Sequence, residues 1–206
     1  MVYYETTEQL MALAKERGMK TTKDGLLYFN TGKFTGRSPK DRYFSEGKYT
    51  DNTIDFERVI NQRVNRDSYL SLKNEIKDYI EETKTFSARQ VAGYNYEHSA
   101  TFNIKSTEPW AIIFFNNMLI DPQSFVTTFS TTFTEWEILH CPDFVSKNRP
   151  KDVKNENFVI IDFDDRKILI AGTSYTGEIK KSIFTVMNTL LVDRGVLPMH
   201  CSANSN

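Results

Sequence analysis

Two stretches of this 206-residue chain combine glycines, hydroxyls and cations in a way that could hold an anion. The first is Gly172-Thr173-Ser174-Tyr175-Thr176-Gly177, with Lys180 and Lys181 just beyond it. It follows an apolar run and precedes a helical pattern, which predicts a strand, a glycine-bearing loop and a helix start. Free backbone N–H groups at a helix start favour anions. The helix dipole disfavours cations there by about 0.3–1 kcal/mol each. Two adjacent lysines make sense in that place if an anion bridges them or if one is held neutral. Two side chains that simply reach into water would read the same. The second stretch is Gly32-Lys33-Phe34-Thr35-Gly36-Arg37-Ser38-Pro39-Lys40-Asp41. Its glycines let backbone close on a ligand. Arg37 can clasp a carboxylate or phosphate with two parallel hydrogen bonds. Asp41 is placed to orient Arg37 through an ion pair. An ordinary charged surface loop has the same composition.

Neither stretch is a nucleotide-phosphate loop. The GxxxxGK[ST] pattern fails at both Gly-Lys pairs, because Phe34 follows Lys33, Tyr49 follows Lys48, and the earlier glycine is missing. No GxGxxG occurs. Of the three histidines, His200 beside Cys201 could ligate a metal or act as acid and base. His98 lies in a polar stretch and is expected to be solvated. His140 ends an apolar run and is expected to be packed. Cys141 and Cys201 form no CxxC and no zinc spacing, so free thiols in a reducing cytoplasm are expected.

The elements that must position these residues are legible in parts. Thr6-Thr7-Glu8-Gln9 reads as a capping box, with Leu10, Leu13 and Ala14 at helical spacing and Gly18 as the stop. Leu26 to Phe29 predicts a short strand. Residues 67–84 predict a helix with Leu72, Ile76, Tyr79 and Ile80 on one face and Asp67 as its N-cap. Ala100 to Ile104 predicts a strand. Trp110 to Ile120 is apolar nearly all round, and periodicity does not decide between helix and strand. Phe125, Phe129 and Phe133 predict a helix, and Trp136 to Leu139 a strand. Phe158 to Phe163 and Ile168 to Ala171 read as two strands joined by a turn. Glu178 to Arg194 reads as a helix with Ile179, Ile183, Met187, Leu190 and Leu191 inward, ended by Gly195. Helices and strands alternate, so an α/β domain with a mixed sheet flanked by helices is expected over residues 1–206.

Composition bounds the rest. The 26 basic and 27 acidic residues give a formal net charge of −1, which excludes a strongly basic nucleic-acid module. Aromatics make up 13% of the chain, far from the composition of a disordered segment. No apolar run approaches the roughly 20 residues that span a bilayer, and no membrane partner is expected. MVYYETTEQL lacks the basic and apolar regions of a secretory signal.

GRSPKD at 36–41, preceded by TGKFT, resembles the opening signature of ATP-dependent phosphoenolpyruvate carboxykinases. So do GTSYTGEIKKSIFTVMNTLL at 172–191 and LPMHCSAN at 197–204, in the family's order. The resemblance covers almost the whole chain and is strongest over 24–43 and 157–204. Ala111 stands where the family usually has a histidine after the tryptophan matched by Trp110.

The resemblance implies the N-terminal lobe of a two-lobed gluconeogenic lyase that uses Mn²⁺ and Mg²⁺. That enzyme converts oxaloacetate and ATP to phosphoenolpyruvate, CO₂ and ADP. It implies that Arg37 holds the substrate carboxylate, that Tyr175 lies beside the substrate, and that Lys180 steadies the enolate. It makes Lys181 and His200 metal ligands, and through the metal it sets them near ATP. A lysine ligates a metal only as the neutral amine, a form that a helix start and nearby cations favour. The phosphate-binding lobe that would complete the site is expected beyond Asn206. This lobe alone is expected to be inactive, with its metal site mostly empty, and to expose an apolar face near Tyr175, Lys181 and His200. The alternative is a stand-alone dicarboxylate-binding module without catalysis.

Overall fold

The computed structural model describes residues 5–58, 60–124, 134–202 and 204. In chain order the elements are α1 (Thr7–Glu16), β1 (Lys20–Thr21), β2 (Leu27–Tyr28), β3 (Arg42–Ser45), α2 (Lys48–Thr53), β4 (Gln62–Val64) and α3 (Arg66–Glu82). Then follow β5 (Phe86–Ala92), β6 (Ala100–Ser106), α4 (Pro109–Met118), β7 (Thr134–Cys141), β8 (Phe158–Asp162), β9 (Lys167–Ala171) and α5 (Gly177–Asp193).

Local chemistry explains most boundaries. The Thr6 hydroxyl accepts from the Gln9 N–H and the Gln9 side chain accepts from the Thr6 N–H, so the capping box forms. Gly18 turns the chain out of α1 at φ +95°, where a side chain would be strained. The N-cap of α3 is Asn65, not Asp67: Asn65 is still extended as it leaves β4, and its Oδ1 accepts from the Ser68 N–H at 2.8 Å. Asp67 falls inside the first turn, where its charge suits the dipole. The undecided apolar run is helix α4, opened by Pro109 at its first position. It is apolar all round because it is buried between α1, β5 and β6.

Seven strands form one mixed sheet in the order β4-β3-β8-β9-β7-β6-β5. The strand expected over Leu26–Phe29 shrinks to Leu27–Tyr28 and pairs with β1 in a separate two-stranded ribbon. Main-sheet strands β3, β4 and β5 were not foreseen, nor was α2. The helix expected around Phe125, Phe129 and Phe133 lies outside the described residues. Among the described residues, no helix is long and apolar enough to cross a membrane.

Both faces of the sheet are covered, so its central strands read as unbroken apolar runs rather than alternations. Along β8, Val159 and Ile161 face the core under α1, α4 and α5, while Phe158 and Ile160 face the one under α3. Tyr69, Leu72 and Ile76 of α3 are fully buried there. On the other face Ile179, Ile183, Val186 and Met187 seat α5.

Strand direction decides where the two glycine-bearing stretches go. β9 runs antiparallel to β8, and β3 runs parallel to β8. The pairings Arg42↔Val159 and Phe158↔Ala171 therefore place the start of β3 and the end of β9 at one edge of the sheet. β6 and β7 run parallel to β9 and also end there. The outer ends of parallel strands are where open α/β sheets hold ligands.

Candidate functional site

At that edge the loop before β3 meets the loop after β9, and Glu178 joins them. Its carboxylate accepts from the Ser38 N–H at 2.7 Å, across 140 positions of sequence. Glu178 is only 4% exposed. Burial raises its carboxyl above the ordinary range, while the Ser38 N–H, Arg37 and Arg42 pull the other way. Arg42 in turn donates to the Thr185 hydroxyl at 3.1 Å, and that hydroxyl donates to the Lys181 carbonyl at 2.8 Å. The first strand of the site is thus tied to α5 at two levels.

Arg37 is exposed at the tip of this junction. The expected ion pair with Asp41 does not form. Asp41 closes a short 3₁₀ turn, Pro39–Asp41, and is buried facing inward. There its oxygens accept from the Asn155 and Asn157 amides at 2.6 and 3.0 Å. The acidic neighbour of Arg37 is Glu178 instead. The sequence signal for Glu178 was slight: an acidic residue in the first turn of a helix, where the dipole alone would account for it.

Tyr175 is half-buried, with its ring against the start of α5. A Cβ placed on Gly177 would come within 2.3 Å of the Tyr175 ring, so only glycine leaves the ring this place. The Tyr175 N–H donates to the Thr173 hydroxyl at 3.2 Å. Gly172 has φ +70°, and a Cβ there would meet the Asn157 Cα at 2.8 Å. This glycine serves close backbone approach as well as the turn.

The helix start does not offer the row of free amides that the sequence suggested. The Glu178 N–H donates to the Tyr175 carbonyl at 3.1 Å, and the Ile179 and Lys180 N–H groups donate to the Thr176 carbonyl at 3.0 and 3.4 Å. This tight first turn uses donors that an anion would need. Charge at this end of the helix comes from side chains.

Lys181 and His200 converge on one ring. The Lys181 Nζ lies 4.8 Å from the centroid of Phe184, and the His200 imidazole lies 5.2 Å from it at 58°. Lys181 is half-buried and His200 exposed. Lys180, next in sequence, is exposed and takes part in none of these contacts. An amine and an imidazole are donors that suit part of a divalent-ion site, with oxygen donors still required. Among the described residues there is no cluster of three or more histidine, cysteine or acidic side chains that would form a complete protein site. Leu197 and Met199, flanking the approach to His200, are 78% and 66% exposed.

Two clefts of about 920 and 710 Å³ flank the 31–41 loop, and Asp41, Lys154 and Asn155 border both. Neither is lined by Arg37, Tyr175, Lys181 or His200. The other histidines take no part in the site surface. His140 is fully buried as expected, whereas His98 is half-buried in a 3₁₀ turn with its Nδ1 shielded, not freely solvated. Cys141 is buried, which pushes its thiol up to about 12, and Cys201 is exposed; both are unpaired.

Residues 1–206 match the profile of the phosphoenolpyruvate carboxykinase family throughout. The chain is 35% identical over 186 residues to the phosphoenolpyruvate carboxykinase (ATP) of Geobacillus kaustophilus, covering 90% of this chain and 35% of that protein. It is 38% identical over 187 residues to the protein of the same name from Staphylococcus aureus strain Newman, covering 89% and 34%. The chain therefore spans about a third of the length of the relatives it matches.

Proposed function

The chain belongs to the phosphoenolpyruvate carboxykinase family, and on that premise we propose that it is the substrate-side lobe of an ATP-dependent carboxykinase. The reaction converts oxaloacetate to CO₂ and an enolate, whose oxygen takes the γ-phosphoryl group of ATP and leaves ADP. The observation that carries this reading is the Ser38–Glu178 contact, whose carboxylate is buried. It presents Arg37 beside the loop that carries Tyr175 and the helix that bears Lys180 and Lys181.

The division of labour follows from the side chains. Arg37 binds a substrate carboxylate with its two parallel donors. Tyr175, propped on Gly177, borders the substrate and orients it. Lys180, free in solvent, is available to the developing enolate charge. Lys181 and His200 are the residues that would hold a divalent ion, and substrate and phosphate oxygens would complete its shell. When bound, that ion supplies positive charge where the enolate forms and where the phosphoryl group is transferred.

The phosphate-binding segments of the reaction are assigned to the part of the relatives that this chain does not span. Exposed Leu197 and Met199 suit a face that meets such a partner lobe. The unpaired thiols suit a cytoplasmic enzyme.

Calorimetric titration with oxalate, a two-carboxylate mimic of the enolate, tests the reading. Saturable binding is expected. Arg37→Ala should weaken it about tenfold or more, the loss of one charge-assisted contact. Absence of binding, or equal binding by the variant, would contradict the assignment. With ATP, Mn²⁺ and oxaloacetate, the 206-residue chain is expected to form no phosphoenolpyruvate; efficient turnover would show that it is more than one lobe.

A further inference from the structure

Two strand ladders run out at the site edge, and Asn157, which precedes β8, lies past the end of both. The β3–β8 ladder ends at Arg42↔Val159 and the β8–β9 ladder at Phe158↔Ala171. Beyond those pairs, side chains take over on one flank. Asp41 precedes β3, and its Oδ1 and Oδ2 accept from the Asn155 and Asn157 amides at 2.6 and 3.0 Å. A carboxylate only accepts, so both amides must turn their NH₂ groups to it. Asp41 is 8% exposed and Asn157 5%, so the contact between them is shielded from water. The Asp41 N–H also donates to the Ser38 carbonyl at 2.9 Å, which makes the carboxylate one body with the turn that follows Arg37.

The other flank of Asn157 is its backbone, and that flank meets the Tyr175 loop. A Cβ on Gly172 would lie 2.8 Å from the Asn157 Cα, 2.9 Å from the Glu156 carbonyl oxygen and 3.0 Å from the Asn157 nitrogen. So close an approach has no slack, and a displacement of Asn157 toward the loop is passed to Gly172. The Gly172 N–H is anchored on the Cys141 carbonyl at 3.2 Å, and the Tyr175 N–H on the Thr173 hydroxyl at 3.2 Å. Asn157 therefore touches the Arg37 loop with its side chain and the Tyr175 loop with its backbone.

We infer that Asn157 is a positioning residue: with Asn155 it holds Asp41, and through Gly172 it sets the spacing between Arg37 and Tyr175. The Ser38–Glu178 contact ties the Arg37 loop to α5, and the Asp41–Asn157 contact ties it to the end of the sheet. Two ties fix a loop that one would leave free to swing. The effect on ligand binding rests on the carboxylate-binding role proposed above for Arg37 and Tyr175; the coupling between the two loops does not.

Asn157→Asp sets a second carboxylate against Asp41 and repels it. The double variant Asp41→Asn with Asn157→Asp exchanges the two groups at unchanged net charge. The amide at 41 then donates to the carboxylate at 157 and still accepts from Asn155. In ¹⁵N spectra of the ligand-free 206-residue chain, Asn157→Asp should move the Arg37 and Tyr175 amides together, and the exchange should return both toward the parent. Calorimetry should show oxalate bound about tenfold more weakly by the single variant and within about threefold of the parent by the exchange. A single variant that melts lower yet binds oxalate as the parent does would reduce the contact to a structural one and overturn the inference. So would an exchange that restores melting but not affinity, or shifts confined to the Arg37 loop. If Asn157→Asp fails to fold, Asn155→Ala removes one of the two donors to Asp41 at an exposed position. It should move the Arg37 and Tyr175 amides and weaken oxalate about threefold, and unchanged amides or affinity would contradict the role. Parent protein that binds no oxalate, while the variants move both loops as expected, would count against the proposed function and leave the coupling standing.

Discussion

A carboxylate shielded from water beside two guanidinium groups answers to burial first and to charge second. For Glu178 burial is the larger influence, and its carboxyl is raised despite Arg37 and Arg42. A raised carboxyl contributes stability that is complete below its unfolded value and is lost as pH rises through its folded value. Glu178→Gln keeps an acceptor for the Ser38 N–H and is neutral at every pH. In urea denaturation the variant should therefore gain stability relative to the parent as pH rises from 4 to 7. A relative loss over that window would mean that the two arginines outweigh burial. Sequence reading singles out Arg37, Tyr175, Lys180, Lys181 and His200 as candidates, because each stands inside a dense local motif. Glu178 is not among them, because its partner Ser38 is 140 positions away and sequence reading assigns Arg37 the nearer acid, Asp41. The turn at Pro39–Asp41 aims Asp41 at Asn155 and Asn157, which no local pattern announces.

The loop between β9 and α5 is built on two glycines with different duties. Gly172→Ala sets a Cβ against the Asn157 backbone at 2.8 Å and holds φ at +70°, so it should cost about 1–3 kcal/mol of stability. Gly177→Ala opens α5 with a better helix former, by up to about 1 kcal/mol. Its Cβ nevertheless displaces the Tyr175 ring. That variant should melt no lower than the parent and yet bind oxalate more weakly, a split between stability and binding that thermal melts and calorimetry together would show. Unchanged oxalate affinity would remove Tyr175 from the site. The long elements of this region were legible because their patterns are long: β8 and β9 as apolar runs, α5 as a helical stripe. β3 and β4, four and three residues, are too short for any period to register. The run 110–120 carried no period because α4 is buried on nearly every side, and its helical character rests on Pro109 and on length.

At the scale of the whole chain, the site exists because the sheet changes direction between β8 and β9. That reversal brings the start of β3, the end of β9 and the ends of β6 and β7 to one edge. Neither the strand order nor the reversal can be read from spacing, so the sequence yielded the α/β class and a mixed sheet but not the meeting of its two motifs. The chain spans about a third of its relatives, and the surface that bears Lys181, Phe184 and His200 lies open beside exposed Leu197 and Met199. The most direct measurement is to add Mn²⁺ and oxalate to the ¹⁵N-labelled chain and map paramagnetic line broadening residue by residue, which registers even fractional occupancy. Broadening centred on Lys181, Phe184 and His200, with oxalate shifting Arg37 and Tyr175, is the expected result. Broadening confined to acidic surface elsewhere, such as the Asp51 and Asp55 region, with α5 untouched, would contradict the assignment of this edge as the substrate and metal site.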